Sequence, residues 1–244
     1  MFTPARRRGV EILDDPSHDP ALAVRSLRDV AKANLLFGGR RAILREIRGV
    51  LGSGSRQTRV LLDIGAGIGD IPAAAVRAAK RNGIELTSIG LELAPALARA
   101  AQPACTWCVA GDALRLPFAD ASIDIVTCSQ VLHHFEDEDA ERLLRECARV
   151  AREAVVVADL RRSWLAVGGL WISSFLLGFH PVSRNDGIVS ILRGYTAPEL
   201  RALIARATGQ RPVVRRSLGW RVTAVWMRNR QARSSHATPN MGTQ

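Results

Sequence analysis

The sequence is poor in lysine and in aromatic residues, and these shortages limit how its charge can be interpreted. Lys32 and Lys80 are the only lysines, so the net charge of +11 comes almost wholly from arginine. The arginines are scattered among acidic residues rather than clustered with aromatic side chains, which argues against a nucleic-acid binding face. The charge therefore indicates a solvated basic surface, with attraction to anionic membranes left open.

Long apolar runs and dense cysteines are also absent. Residues 164 to 179 form the longest apolar segment, about sixteen residues against the ~20 that a spanning helix needs. Four cysteines do not indicate a disulfide scaffold, and no signal peptide opens the sequence, so we expect a cytoplasmic protein. Cys105 and Cys108 fall in a predicted strand, 104 to 110, where residues three apart face opposite ways. We therefore expect no metal site.

A glycine-rich turn follows the first apolar strand, residues 60 to 64. Gly65, Gly67 and Gly69 stand at every second position, and a helix-forming run begins directly after them. Glycine lets a ligand approach the backbone, and a helix start offers free N–H groups, so the pattern indicates nucleotide binding. Asp63 and Asp70 flank the turn and would repel a pyrophosphate. The pattern therefore favours a cationic ligand such as S-adenosylmethionine (SAM).

Apolar strands alternate with helices along most of the chain, which is typical of a parallel sheet covered on both faces. The predicted strands are 60–64, 85–91, 104–110, 123–129, 154–159, 212–216 and 220–227. The predicted helices are 71–80, one from 95, 137–150, 164–179, and one from 196 that opens with a capping box. Residues 180 to 194 are expected to form a loop. The last two strands have only a short turn between them, which predicts an antiparallel hairpin at the sheet edge. The fold class is therefore α/β, a Rossmann-like, seven-stranded, mostly parallel sheet.

The N-terminal part of the chain precedes this pattern. Residues 1 to 18 are polar and proline-broken and are expected to be a flexible arm. Two helices then occupy residues 19 to 52, the first beginning at Asp19 and Pro20. They are either a lid over the ligand pocket or elements that cover the core. Residues 53 to 228 would form the main domain, and 229 to 244 a disordered tail.

Acidic residues recur at the predicted strand ends. Glu92 ends the second strand, where it is placed to accept hydrogen bonds from ribose hydroxyls. Asp112 follows the third strand and could accept a hydrogen bond from an adenine amino group. Because parallel strands end at one edge, these acids and the glycine turn predict a single nucleoside site.

These motifs resemble those of the class I SAM-dependent methyltransferases over about residues 57 to 227. The resemblance rests on residues 62–69 (LDIGAGIG), Glu92, 111–118 (GDALRLPF), 122–126 (SIDIV), 131–135 (VLHHF) and the terminal hairpin. It departs from many relatives at Ala94 and Pro95, where they have a second polar ribose contact. The resemblance implies SAM as cofactor, bound by Asp63, Gly65, Ala66, Gly67, Gly69, Asp70, Glu92, Leu93, Gly111, Asp112, Ala113, Ser129 and Gln130.

The VLHHF segment is similar to that of small-molecule methyltransferases, including those of quinone and polyketide biosynthesis. We therefore expect O- or C-methylation of a small, largely apolar acceptor such as a phenol, a quinol or a polyketide-like compound. A non-catalytic SAM-binding partner or scaffold protein is the alternative. RNA methylation is less favoured, because the motif of nucleic-acid amino-methyltransferases is missing at Ser129 and Gln130. The oligomeric state stays open.

Candidate catalytic and substrate residues follow the fourth and fifth strands, beyond which the acceptor should lie. His133 and His134 are candidate bases for proton removal, although either could instead be structural. The apolar helix at 164–179 is either buried, a wall of the acceptor pocket, or a contact with a membrane surface. The candidate substrate-binding residues are Trp164, Trp171, Phe175, His180, Arg184, Asp186 and Tyr195.

Overall fold

The computed structural model describes residues 3–7, 9–14, 19–53 and 56–228. Seven strands form one sheet in the order β3-β2-β1-β4-β5-β7-β6. The strands are β1 (Thr58–Ile64), β2 (Glu85–Glu92), β3 (Trp107–Ala110), β4 (Ile123–Ser129), β5 (Ala151–Leu160), β6 (Val213–Ser217) and β7 (Arg221–Met227). The first five are parallel, and β7 runs antiparallel between β5 and β6. The predicted fold class is confirmed.

Helices cover both faces of the sheet. They are α1 (Pro20–Leu36), α2 (Gly39–Gly52), α3 (Asp70–Lys80), α4 (Pro95–Ala101), α5 (Asp137–Val150), α6 (Trp164–Leu176), α7 (Pro181–Arg193) and α8 (Ala197–Thr208). The signals that start two of them are seen in the structure: Asp19 caps α1, and Thr196 and Glu199 form the capping box of α8.

The sheet separates the two larger apolar clusters of the core, and a third, small cluster joins Leu160 to Ala166 of α6 and Ile191 of α7. Leu61 and Leu62 are both fully buried, yet they belong to different clusters because successive strand side chains point to opposite faces. Leu61 packs with α2 and α3, whereas Leu62 packs with α5 and α8. Strands buried on both faces explain why their sequences read as continuous apolar runs.

The two N-terminal helices have different positions in the fold. Ile43, Ile47 and Leu51 of α2 are fully buried in the core cluster, so α2 is a covering layer of the sheet. In contrast, α1 contacts α4 and α7, on either side of the strand ends, and buries only Ser26 and Asn34. α1 therefore lies at the surface beside the strand ends.

Residues 181 to 193 form helix α7 rather than the predicted loop. His180 caps the helix by accepting a hydrogen bond from the Val182 amide, and Pro181 occupies the first turn, where its missing N–H has no cost. Gly187 allows a close approach to α6, because a Cβ there would lie 2.8 Å from Leu170 Cδ2. The glycine and polar residues that suggested a loop therefore serve helix capping and helix packing.

The expectation that Cys105 and Cys108 face opposite ways is also wrong. β3 begins only at Trp107, after a 3-10 turn at Gln102–Ala104, so the two residues do not share one strand. Both sulfur atoms lie beside Gly90, where a Cβ would be 3.0 and 3.5 Å from them. Burial raises the pKa of the Cys105 thiol to about 12, which makes it a poor nucleophile.

The described part of the predicted flexible arm is packed against the domain. Asp186 of α7 accepts hydrogen bonds from the amides of Ile12 (2.9 Å) and Leu13 (3.1 Å), and Arg7 N–H donates to Leu192 O (3.1 Å). The polar composition suggested a loose segment, but backbone amides of the arm donate hydrogen bonds to buried residues of the domain. The predicted tail, 229–244, lies outside the described residues. No helix in the described ranges has the length and apolarity needed to span a bilayer.

Candidate active site

Four neighbouring strands end at one edge of the sheet and bring the predicted cofactor residues together. In the order β3-β2-β1-β4, all parallel, Asp112 follows β3, Glu92 ends β2, Gly65 follows β1 and Ser129 ends β4. The Gly65 amide donates to Leu91 O (2.8 Å), and the Gly111 amide donates to Glu92 O (2.8 Å). These bonds join the loops into one crevice at the carboxyl ends, where open α/β sheets bind ligands.

The glycine turn needs its glycines for two reasons. Gly65, Gly67 and Gly69 have φ values of +65°, +60° and +75°, in the left-handed region that other residues rarely adopt. A Cβ at Gly65 would also lie 2.3 Å from Val131 Cγ2. At Gly67 the nearest atom to such a Cβ is Leu27 Cδ2 of α1, at 3.4 Å. The turn is therefore a bare backbone surface beneath α1.

Three carboxyl groups around this turn resist ionisation. Burial raises the pKa of Asp63 to about 8, and the neighbouring carboxyls of Asp70 and Glu92 contribute, although the Thr127 hydroxyl donates to Asp63 Oδ1 (2.6 Å). Burial likewise raises the pKa of Glu92 to about 7, against the effect of the Gly67 amide, which donates to it. Burial also raises the pKa of Asp70, whose Oδ2 has no hydrogen-bond partner among the described residues. A cation bound here would stabilise the charged carboxylates.

The remaining predicted cofactor residues border the same crevice. Asp112 is exposed, and its Oδ1 accepts from the Leu114 amide (2.8 Å), while Leu93 is also exposed. Gln130 has a φ of +57° and donates from Nε2 to Asn34 Oδ1 of α1 (2.6 Å). This hydrogen bond fastens α1 above the end of β4. Ala66, Gly111, Ala113 and Ser129 complete the set.

Comparison with known proteins identifies the family. A methyltransferase-domain family matches residues 62–158. A demethylmenaquinone methyltransferase from Roseiflexus sp. (strain RS-1) is 32% identical over 187 residues, covering 67% of this chain and 73% of that relative. The chain belongs to the class I SAM-dependent methyltransferases. The resemblance to this family that the sequence suggested is therefore confirmed.

Solved structures of other methyltransferases have the same fold as this chain. A SAM-dependent methyltransferase from Aquifex aeolicus has a TM-score of 0.61 at 14% identity, covering 87% of this chain and 100% of that one. A magnesium protoporphyrin IX methyltransferase from Synechocystis PCC 6803, with S-adenosylhomocysteine bound, has a TM-score of 0.54 at 15% identity, covering 79% and 84%.

The crevice fits the cofactor of this family. SAM, when bound, supplies an electrophilic methyl group on a sulfonium and also carries an ammonium group. The Asp70 oxygen that accepts no hydrogen bond from the described residues and the buried Asp63 carboxyl are suited to those cations, because a buried acid gains most from a nearby positive charge. Glu92, at the end of β2, is suited to the ribose hydroxyls, and the bare glycine backbone leaves room for the nucleoside.

The raised carboxyl pKa values predict that SAM affinity increases with pH. Between pH 6 and 7.5 the free protein holds protons on Asp63 and in part on Glu92, and bound cations would expel them, so we expect affinity to rise at least tenfold over this window. Calorimetry in buffers of different ionisation enthalpy should detect proton release on binding. Asp63→Asn should flatten the pH dependence. An affinity that falls with pH, or no proton release, would contradict the assignment.

The predicted catalytic histidines lie in an ion-pair cluster. His133 is buried, with Nδ1 2.7 Å from Asp159 Oδ1 and Nε2 3.6 Å from Glu11 Oε1. Burial alone would lower the pKa of His133, but Asp159 and Glu11 outweigh it and raise the pKa to about 9. His134 is a third exposed, and its Nδ1 lies 2.9 Å from Asp14 Oδ1. At pH 7 His133 is therefore an imidazolium held between two carboxylates.

Glu11, His133 and His134 also have the residue types of a metal site, with ligand atoms within 4.8 Å of one another. However, Arg193 places its guanidinium 3.5 Å from Glu11 Oε1 and 2.8 Å from Asp14 Oδ2. The cluster therefore already contains a fixed cation, and a metal ion would be repelled by it. The cluster links Glu11 and Asp14 of the arm to the two histidines of the turn after β4.

A cavity of about 140 Å³ lies beyond the ends of β4 and β5. Its wall is mostly apolar and comes from α1, α6, α7 and the start of β7. Among the residues that line it are Asp29, Ala33, Gln130, Ala166, Leu170, Ser190 and Arg221. Gln130 lines this cavity and directly follows the end of β4, beside the predicted cofactor residue Ser129.

The predicted substrate residues are spread around this cavity rather than lining it. Trp164, Trp171 and Phe175 are about half exposed, on other faces of α6 than the cavity-lining Ala166 and Leu170. Asp186 holds the arm, and His180 caps α7. The other two candidates also have partners within the protein. The Arg184 side chain donates a hydrogen bond to Ser174 Oγ (2.9 Å), and the Tyr195 hydroxyl accepts one from Arg6 (2.7 Å).

Sequence reasoning missed several polar residues near the site. Asn34 Oδ1 accepts from both Gln130 and Arg221 (3.1 Å), and Asp29 accepts from the His180 amide (3.0 Å), so α1 is fastened on two sides. Asp159 could have been found, because it is an acid at the end of β5 like the acids of β2 and β3. Asn34 and Asp29 lie in a helix with no motif, and only the tertiary structure gives them a partner.

Proposed function

We propose that this methyltransferase methylates a small, largely apolar acceptor at oxygen or carbon, and that the acceptor is a phenol, a quinol or a polyketide-like compound. The observation that carries the proposal is the mostly apolar cavity next to the cofactor crevice, beyond β4 and β5. A pocket of this kind selects apolar ligands and orients them with a few polar groups, here Gln130, Asp29 and Arg221. The demethylmenaquinone methyltransferase, a relative at 32% identity, supports a quinol-like acceptor.

The elements around the cavity can align the acceptor with the methyl group of the cofactor. α1 covers both the glycine turn, through Leu27, and the cavity, through Ala33. One rigid element therefore borders the methyl donor's crevice and the acceptor space, and it can exclude water from both. We propose that α1 acts as the lid, because alignment and desolvation are what a displacement reaction needs from a protein.

Proton removal by His133 or His134 stays a prediction, and His134 is the better placed of the two, because His133 already carries its proton at pH 7. The pair is connected to the cavity through Glu11, whose Oε1 accepts a hydrogen bond from Ser190 Oγ (2.8 Å), and Ser190 lines the cavity. His134, being less buried and joined to Asp14, is the member that can be replaced with least damage. A His134→Ala protein with wild-type SAM affinity and reduced turnover would support the catalytic role.

The test of the proposed function is an acceptor screen with tritiated SAM. Phenols, hydroquinols and demethylated quinols are the expected acceptors, and mass spectrometry should show one added methyl group. Aliphatic amines and tRNA form the comparison sets. Label transferred only to amines or only to tRNA would overturn the proposal while leaving the methyltransferase assignment intact.

A further inference from the structure

Helix α6 presents an unusual apolar surface to solvent. Leu165, Ile172 and Leu176 are 72%, 58% and 82% exposed, and Trp164, Trp171 and Phe175 are about half exposed beside them. We call these six residues the α6 surface. Their spacing, 165-172-176 and 164-171-175, places them on adjoining stripes of one helix. Exposed apolar groups of this size on one element mark a contact site rather than ordinary surface.

No charged side chain interrupts this surface. Between Arg162 and Arg184 the sequence contains no Asp, Glu, Lys or Arg. α6 spans 13 residues, which corresponds to a length of about 20 Å, so the helix is too short to cross a bilayer but suited to lying in its interface. Tryptophan is the side chain that prefers this interface, and two of the chain's five tryptophans are here.

Cationic groups border the α6 surface on several sides. The guanidinium carbon of Arg7 lies 5.7 Å from the Trp164 ring centre, and that of Arg184 lies 3.5 Å from the Phe175 ring centre. Lys32 donates from Nζ to Leu177 O (2.9 Å), just past the end of α6. The arrangement is an apolar strip with a basic rim, in a chain whose net charge is +11.

We propose that the α6 surface docks on an anionic lipid bilayer, with the apolar strip in the headgroup region and the basic rim on lipid phosphates. A second copy of this chain fits less well, because a symmetric dimer would bring the same basic rim against itself. Anionic headgroups instead complement it, since each nearby Lys or Arg strengthens binding to an anionic membrane.

Docking would also place the acceptor cavity near lipid. Ala166, Gly169 and Leu170, on the inner side of α6, line the cavity, so this one helix separates the cavity from the docking surface. On the proposed function, an apolar acceptor dissolved in the membrane would then have a short path to the site. This consequence rests on the proposed function, whereas the docking surface itself does not.

The test is vesicle co-sedimentation of the full chain, without SAM or acceptor, on neutral phosphatidylcholine and on vesicles with about one third phosphatidylglycerol. We expect at least tenfold tighter binding to the anionic vesicles. Leu165→Gln/Ile172→Gln/Leu176→Gln should weaken it at least tenfold, and because these side chains are exposed the variant should keep its unfolding temperature and SAM affinity. Leu218→Gln, at a 90% exposed leucine in the β6–β7 turn, is the matched control and should bind like wild type.

A second variant tests the basic rim. Lys32→Gln should lower binding to anionic vesicles about fivefold and leave neutral vesicles unaffected. Equal sedimentation of the wild type with both vesicle types, or unchanged binding of the triple variant, would overturn the proposal. So would a wild-type dimer that the triple variant makes monomeric with no vesicle binding. Each of these results leaves the acceptor screen, and hence the proposed function, standing.

Discussion

Replacing His133 with alanine is expected to lower the free energy of unfolding by about 3–5 kcal/mol, because it leaves Asp159 as a buried charge without its partner. Both side chains are buried, with 2.7 Å between Nδ1 and Oδ1, and the Asp159 carboxylate also accepts from the His133 amide (3.1 Å). Urea denaturation at pH 7 measures the effect. His134→Ala is the matched control and should cost no more than about 1 kcal/mol, since its ion pair with Asp14 is partly exposed. Equal losses for the two variants would contradict this account.

The same ion pair has a defined pH dependence. The pKa of His133 is raised from about 6.5 when unfolded to about 9 when folded. The ion pair's contribution to the free energy of unfolding is therefore complete below pH 6.5 and is lost as pH rises through 9. The full contribution is about 3 kcal/mol. The difference in unfolding free energy between wild type and His133→Ala should shrink accordingly over that window. A difference that grows with pH would mean that His133 is neutral in the folded protein.

Replacing Glu92 with alanine is expected to weaken SAM binding by about 1–3 kcal/mol, which is roughly fivefold to 150-fold. The reason is that ribose hydroxyls would enter the crevice without their acceptor at the end of β2. Titration calorimetry with SAM and with S-adenosylhomocysteine measures the loss.

Glu85→Ala is the matched control, because Glu85 begins the same strand at the opposite edge of the sheet and is exposed. It should bind SAM like wild type. Unchanged affinity in Glu92→Ala, with the control also unchanged, would remove Glu92 from the cofactor site.

The cofactor side of the fold could be predicted from sequence because its signals are local. The glycine turn, Glu92 and Asp112 each follow a strand that is readable as an apolar run, and parallel strands must end at one edge. The terminal hairpin was predictable for the same reason, since only a short turn separates β6 from β7.

The acceptor side was harder because its residues act through distant partners. Helix α7 was hidden by Gly187, which looks like a loop residue until Leu170 is seen against it. The arm's Glu11 gives no sequence signal, yet it lies 3.6 Å from His133. The aromatic residues of α6 suggested a pocket wall, but helical period alone cannot say which face of an all-apolar helix turns inward.

The most direct test of the central claim, that the acceptor occupies the cavity beneath α1, is a pair of phenylalanine substitutions in that helix. Ala33 lines the cavity, whereas Ala21 is exposed in the first turn. With the best phenol or quinol from the screen, Ala33→Phe should lower kcat/KM for the acceptor at least about tenfold by filling the space, while the SAM affinity stays within about twofold of wild type. Ala21→Phe should leave both unchanged. A folded Ala33→Phe protein that methylates the acceptor at the wild-type rate would contradict the claim.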